Sequence, residues 1–323
     1  MKRSHLIAAS VVFMLSLLVP LVVQTDYVLQ VLFRIYLFAA LGLAWNLVGG
    51  YAGQLSLGHA AYFGVGAYGL SLFSGKLGLL PWLAVLMGVA VALACALLIG
   101  GVSFRLRGPY FVLATIAFAE VLRLIAKNLP DVTGGDVGVQ VPPLFHGNVN
   151  RDFYWAAVVL TALAFATTVA ISRARFGYYL LAIREDEDTA LSVGIGAARN
   201  KLGALLVSAA LTALAGALYA SLFLYVVPDQ VLSIDVSNEI AIVAMLGGAG
   251  TVLGPIVGSV VLESASEIFK NIFKEAHLLI YGVLLVVVVL FLPEGIIGTI
   301  SALLRRRAMF SGIKAGAKGV AAD

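Results

Sequence analysis

The chain is 323 residues long, 61% hydrophobic and only 12% charged, whereas an ordinary soluble domain is roughly half apolar and a quarter charged. That balance excludes an ordinary soluble domain and points to lipid. The lone cysteine, Cys95, excludes a disulfide framework or a cysteine-based metal site, and a net charge of +4 calls for no nucleic-acid partner.

A helix needs about 20 mostly apolar residues to cross roughly 30 Å of hydrocarbon, and runs of that order recur along the chain. The first, residues 6–23, follows Lys2 and Arg3. It resembles a signal peptide, but no small-x-small site stands before Gln24, so an uncleaved span is expected. Further spans are expected at 27–48, 55–74, 79–103, 109–127, 153–171, 203–227 and 277–292. The stretch 236–268 is apolar for more than one span's length but is interrupted by Gly247, Gly248, Gly250, Gly254 and Pro255. Two short helices or a re-entrant hairpin are expected there. The expected fold is an all-α polytopic membrane protein, one transmembrane domain over 1–323, with about eight full transmembrane helices plus a broken or re-entrant helix pair.

Charge placement sets the expected orientation. With the amino end inside, cytoplasmic segments hold Lys2, Arg3, Arg105, Arg107, Arg173, Arg175, Arg184, Arg199, Lys201, Arg305, Arg306, Arg307, Lys314 and Lys318, which is 14 of the 21 basic residues. External segments hold only Lys76, Lys127, Arg151, Lys270 and Lys274. This positive-inside bias holds at every loop only if 236–268 crosses twice or not at all. Both termini, the loop 172–200 and the basic tail 301–323 are then cytoplasmic, and the loop 128–152 is external.

A weak internal two-fold repeat is visible when Val48 to Gly58 is set beside Leu246 to Gly254: both read apolar, Gly-Gly, Ala-Gly, then Leu-Gly. Paired glycine-interrupted segments in two halves of a transporter point to the pathway, because broken helices expose backbone groups to a solute. Close helix packing explains the same glycines. The candidate pathway residues are Asn46, Gly49, Gly50, Gln54, Ser56 and His59 in the first segment, and Gly247, Gly248, Gly250 and Gly254 in the second. If a helix begins near Ser56, its free N–H groups are placed to receive a carboxylate, with a packing hydrogen bond as the alternative. His59 has no second histidine near it in sequence, so no metal is expected. Inside the spans, Arg34 and the pair Glu120–Arg123 suit ion pairing within the protein, and Glu239, Glu263 and Glu267 suit either an outer mouth or solvated helix ends.

The cytoplasmic loop 172–200 holds Arg184, Glu185, Asp186, Glu187, Asp188, Thr189, Ala190 and, after three more residues, Gly194. The acids suit the start of a short helix and the glycine its C-cap. Asp188-Thr189-Ala190-x-x-x-Gly194 resembles the E-A-A-x-x-x-G signature by which permeases of ATP-binding-cassette (ABC) importers dock on their ATPases, with Asp for Glu and Thr for the first Ala. More widely, Asn46 to Tyr68, Arg105 to Ala119, Thr133 to Gly138, Phe176 to Gly194 and Ala241 to Gly258 resemble the LivM-type permease subunit of branched-chain amino acid importers.

The resemblance implies a second homologous permease subunit, two ATPase subunits and an external solute-binding protein. It also implies a bacterial inner-membrane location and no cofactor on this chain, with ATP on the partners. Gly248-x-Gly250 followed by Gly254 is not G-x-G-x-x-G, and no G-x-x-x-x-G-K-[ST] occurs. Related permeases handle urea and short amides, an alternative substrate class. An ion-coupled secondary transporter needs mid-membrane coupling acids, for which Glu120 is the clearest candidate. On this reading Ala190 supplies a small contact position for the ATPase and Gly194 a defined stop.

Overall fold

The computed structural model describes residues 13–21, 23, 25–106, 108–273, 282 and 295–299. Residues 13–21 are helical; most of the expected span 277–292 and the tail 301–323 lie outside the described residues. Among those residues six helices are long and apolar enough to cross a membrane: Asp26–Tyr51, Pro81–Ser103, Pro109–Lys127, Val149–Arg173, Ala197–Phe223 and Pro228–Gly247. The protein is therefore an all-α membrane protein; the six do not reach the eight full spans expected, of which 6–23 lies partly and 277–292 mostly outside the described residues.

In chain order, α1 is Asp26–Asn46, prolonged by a π-helical turn, Leu47–Tyr51. Then come α2 (His59–Leu70), α3 (Pro81–Ser103), α4 (Pro109–Lys127) and α5 (Val149–Arg173). Two short helices, α6 (Arg175–Glu185) and α7 (Glu187–Ser192), precede α8 (Ala197–Phe223). Last are α9 (Ile234–Gly247) and α10 (Gly254–Phe273). A two-residue antiparallel pair, β1 (Val139–Gln140) with β2 (Tyr225–Val226), ties two loops at one end.

The stretch 55–74 is not among the six. It passes from one end to the other as a broken segment: an irregular passage through residues 53–58 leads into twelve residues of α-helix continued by a second π-helical turn, Ser71–Lys76. Composition hides this because α2 is apolar and nearly every residue of it is buried. It packs against α8 backbone to backbone; a Cβ on Gly66 would lie 2.0 Å from the Ala213 carbonyl, and one on Gly216 2.0 Å from that of Phe63. Small residues give membrane helices this close approach, since the hydrophobic effect supplies little drive between helices already in lipid.

The stretch 236–268 is a helical hairpin, α9 and α10, broken at 248–253. Its bend touches Asn46 at one end of α1, through Gly250 and Thr251. Near the other end of α1, Tyr27 donates to Glu267 and accepts from Asn271 on α10. At 1.5 Å rise per residue α1 is roughly 30 Å long, so α10 runs the thickness of a bilayer core. The proposed internal repeat does not extend to matching halves. One break follows 21 helical residues and the other follows 14, and the two breaks pack on each other.

The loops sort to two ends. One carries the π-helical turn, α6, α7 and the bend of the hairpin; the other carries β1, β2 and an ionic cluster in which Lys127 pairs with Asp136 at 3.1 Å and with Asp229 at 2.9 Å.

Candidate functional site

At the first end the two glycine-rich breaks and the short-helix loop form one junction. Asn46 is the clamp. Its Nδ2 donates to the Thr251 carbonyl at 2.8 Å and its Oδ1 accepts from the Gly250 N–H at 2.7 Å, so one buried side chain satisfies two backbone groups that the helix break leaves open. A Cβ on Gly50 would lie 1.9 Å from Asn46 Oδ1 and 2.4 Å from the Gly250 nitrogen. Only a residue without a side chain lets the segments close at this point. Trp45 supports the junction from α1: Gly49 lies against its ring, and its indole N–H donates to the Ser56 carbonyl at 2.7 Å.

Arg184, at the end of α6, reaches into the same junction. Its Nη1 donates to the Gly50 carbonyl at 2.8 Å. A Cβ on Gly250 would meet that same nitrogen at 2.4 Å. The guanidinium therefore stands between the two breaks while its backbone adjoins α7.

The loop folds as its residues suggest. Asp186 caps α7, its Oδ1 accepting from the Thr189 N–H at 2.7 Å. That N–H, with the Thr189 hydroxyl, holds the Asp186 carboxyl below its ordinary range. Gly194 ends the segment with φ +87 and its N–H on the Leu191 carbonyl at 3.0 Å, a left-handed stop that glycine makes cheaply. Glu187 pairs with Lys201 of α8 at 2.7 Å, and Lys201 is only 1% exposed. This tie was not anticipated. The expected span 203–227 leaves Lys201 just outside; the helix starts earlier, at Ala197, which takes the lysine five residues into it, where an uncompensated charge is costly.

Several expectations change. Ala190 was expected to face the ATPase, but it is buried against Ile183 and Ala197, sealing the loop onto the membrane part. Exposed instead are Glu185, Asp186, Asp188, Thr189, Leu191, Ser192, Val193 and Gly194. Leu191 and Val193, 46% and 71% exposed, make this outward face partly apolar.

The first helix break does not present an open anion site at Ser56. The helix begins at His59, and the N–H groups around its start are largely engaged: Leu57 donates to Thr115 Oγ1 at 3.2 Å, Gly58 to Ser56 Oγ at 3.4 Å, Ala60 to Ser237 Oγ at 2.8 Å and Ala61 to the Gly58 carbonyl at 3.1 Å. His59 is fully buried with Nε2 2.8 Å from Ser208 Oγ. Ser56 and His59 are both buried in the helix packing. Gln54 is half-buried and lines a shallow cavity with Gly53, Leu55, Gly108 and Pro109. Gly247 and Gly254 touch each other across the bend of the hairpin. No group of three or more metal-ligating side chains occurs among the described residues.

The family described as "Branched-chain amino acid transport system / permease component" matches residues 27–289. The high-affinity branched-chain amino acid transport system permease protein LivM of Escherichia coli (strain K12) is 29% identical over 289 residues, 81% of this chain and 68% of that protein. LivM of Salmonella typhimurium gives the same identity and coverage. The corresponding protein LivH of Escherichia coli (strain K12) is 25% identical over 283 residues, 81% of this chain and 91% of that protein. No solved structure gives a significant match.

Proposed function

We propose that this chain, which belongs to the family of branched-chain amino acid transport system permease components, forms half of the membrane pathway of an ATP-driven importer for branched-chain or chemically related amino acids. It is a transport subunit. The observation that carries the ATP-driven reading is the uninterrupted connection from α7, through Arg184, to the paired helix breaks. An ion-coupled transporter has no need of an apolar projection outside the membrane joined to the pathway; a subunit moved by a separate ATPase does.

The partners on this reading are a second homologous permease subunit, two ATPase subunits that bind and hydrolyse ATP, and an external solute-binding protein. That both LivM and LivH resemble this chain favours a heteromeric permease pair. One transmembrane permease domain occupies 1–323 in the bacterial inner membrane. Its termini and the loop 172–200 face the cytoplasm, and the loop 128–152 faces outward. Cysteines placed at Asp136 and Asp186 in a Cys95→Ala background are expected to react with an impermeant maleimide from opposite sides; labelling of both from one side would refute this orientation.

Leu191 and Val193 are the proposed docking contacts for the ATPase. Leu191→Asp with Val193→Asp places two hydrated charges at an apolar contact, and about 2–4 kcal/mol of binding is expected to be lost. Purified with the partner permease, the double variant should retain little ATPase subunit, whereas Ala198→Ser on the exposed shoulder of the same loop should retain it. Full ATPase retention together with substrate-stimulated hydrolysis in the double variant would show that this surface is only a connector.

A further inference from the structure

At the end opposite the short-helix loop, a cavity of about 360 Å³ opens between the start of α1, the start of α5 and the ends of α8 and α10. Its size falls within the roughly 300–1,000 Å³ of small-molecule pockets. The walls divide by chemistry. Val31, Phe33, Leu222 and Phe223 make an apolar side. Arg34 and Glu267 supply opposite charges, and Gln30, hydrogen-bonded to Asn150 at 3.1 Å, closes the rim.

Arg34 also leads inward from this cavity. Its Nε lies 3.2 Å from Glu263 Oε2 and its Nη2 3.7 Å from Glu239 Oε1. Glu263 is 4% exposed, and its other oxygen, Oε1, has no hydrogen-bond partner among the described residues. A buried carboxylate oxygen left open is costly, because nothing replaces the water it lost. Glu239, Glu263 and Glu267 face Arg34, with Lys270 also close enough to interact with Glu239 and Glu263, and Glu239 and Glu263 are hydrogen-bonded to each other. Glu263 and Glu267 are four residues apart on α10, hence neighbours on one helix face.

We propose that this cavity receives the charged head of an α-amino acid on its way into the pathway, an inference that rests on the amino-acid reading above. Glu267, which lines the cavity, takes the ammonium. The Arg34 guanidinium holds the carboxylate, and the wall of Phe33 and Leu222 receives an aliphatic side chain. Glu239 keeps Arg34 from closing fully onto Glu263, so that Arg34 stays available.

The test uses the complete importer in proteoliposomes, with radiolabelled leucine uptake and phosphate release measured on the same sample. Glu267→Gln is expected to lower leucine imported per ATP hydrolysed by about tenfold, the effect of one charge-assisted contact. Leu222→Trp, which fills the cavity without touching a charge, should lower the same ratio, and Glu267→Asp should restore most of the loss. If uptake and hydrolysis fall together at constant ratio, Glu267 is a structural tie and the proposal is overturned. A ratio unchanged in both Glu267→Gln and Leu222→Trp also overturns it. No uptake of leucine, isoleucine or valine by the wild-type complex would instead overturn the amino-acid reading itself.

Discussion

Replacing Gly50 by leucine is expected to reduce uptake at least tenfold while leaving the protein inserted. The added Cβ alone would stand 1.9 Å from Asn46 Oδ1 and 2.4 Å from the Gly250 nitrogen. Neither neighbour can yield cheaply, since one is a clamp holding two backbone groups and the other is backbone itself. Overpacking of this kind costs about 1–3 kcal/mol, and here the strain falls on the contact between the two helix breaks, away from the lipid-facing surfaces that govern insertion. Gly101→Leu is the matched control, because nothing lies within 4 Å of a Cβ there. Uptake in proteoliposomes, normalised to inserted protein, decides the matter: wild-type rates in Gly50→Leu would mean that the junction need not stay closed.

The tie between Lys201 and Glu187 predicts an asymmetric result. Glu187→Gln leaves an ammonium that is 1% exposed without its counter-charge, and breaking a buried pair from one side costs about 3–5 kcal/mol. Lys201→Met instead leaves Glu187, which is 24% exposed, with access to water, and the methionine fills much of the lysine's space. The first variant should loosen α7 strongly, the second mildly, and the double variant should recover most of the loss. Amide exchange over residues 186–192, measured beside ATPase retention, reads this order. Equal protection in all three variants would show that the pair does not hold the loop.

The sequence made some of this legible. Spans at 27–48, 79–103, 109–127 and 153–171 carry their own apolar length, and each coincides with a helix in the structure. The stop at Gly194 could be anticipated because a left-handed residue after a short helix is a local requirement. The break before His59 could not be placed from hydropathy, which registers apolar residues but not the six-residue passage between helix ends. Arg184 and Gly50 are 134 positions apart, and no local pattern marks a guanidinium that travels that far to a carbonyl. Ala190 was misread for a different reason. A small residue in a docking loop suits an outer contact and an inner seam equally, and only the position of Ala197 shows which it is.

Trp45 gives the junction an optical reporter of its own. The chain has three tryptophans. Trp45 is 1% exposed with its ring against Gly49 and its N–H on the Ser56 carbonyl; Trp82 and Trp155 sit at the opposite end, around the loop with Phe145 and Arg151. With those two changed to phenylalanine, the remaining emission arises from the hinge between the helix breaks. Indole fluorescence is sensitive to the polarity around the ring, so water entering this joint during the ATP cycle would register as a spectral shift in real time, without a label and without a change in the residues that form the joint.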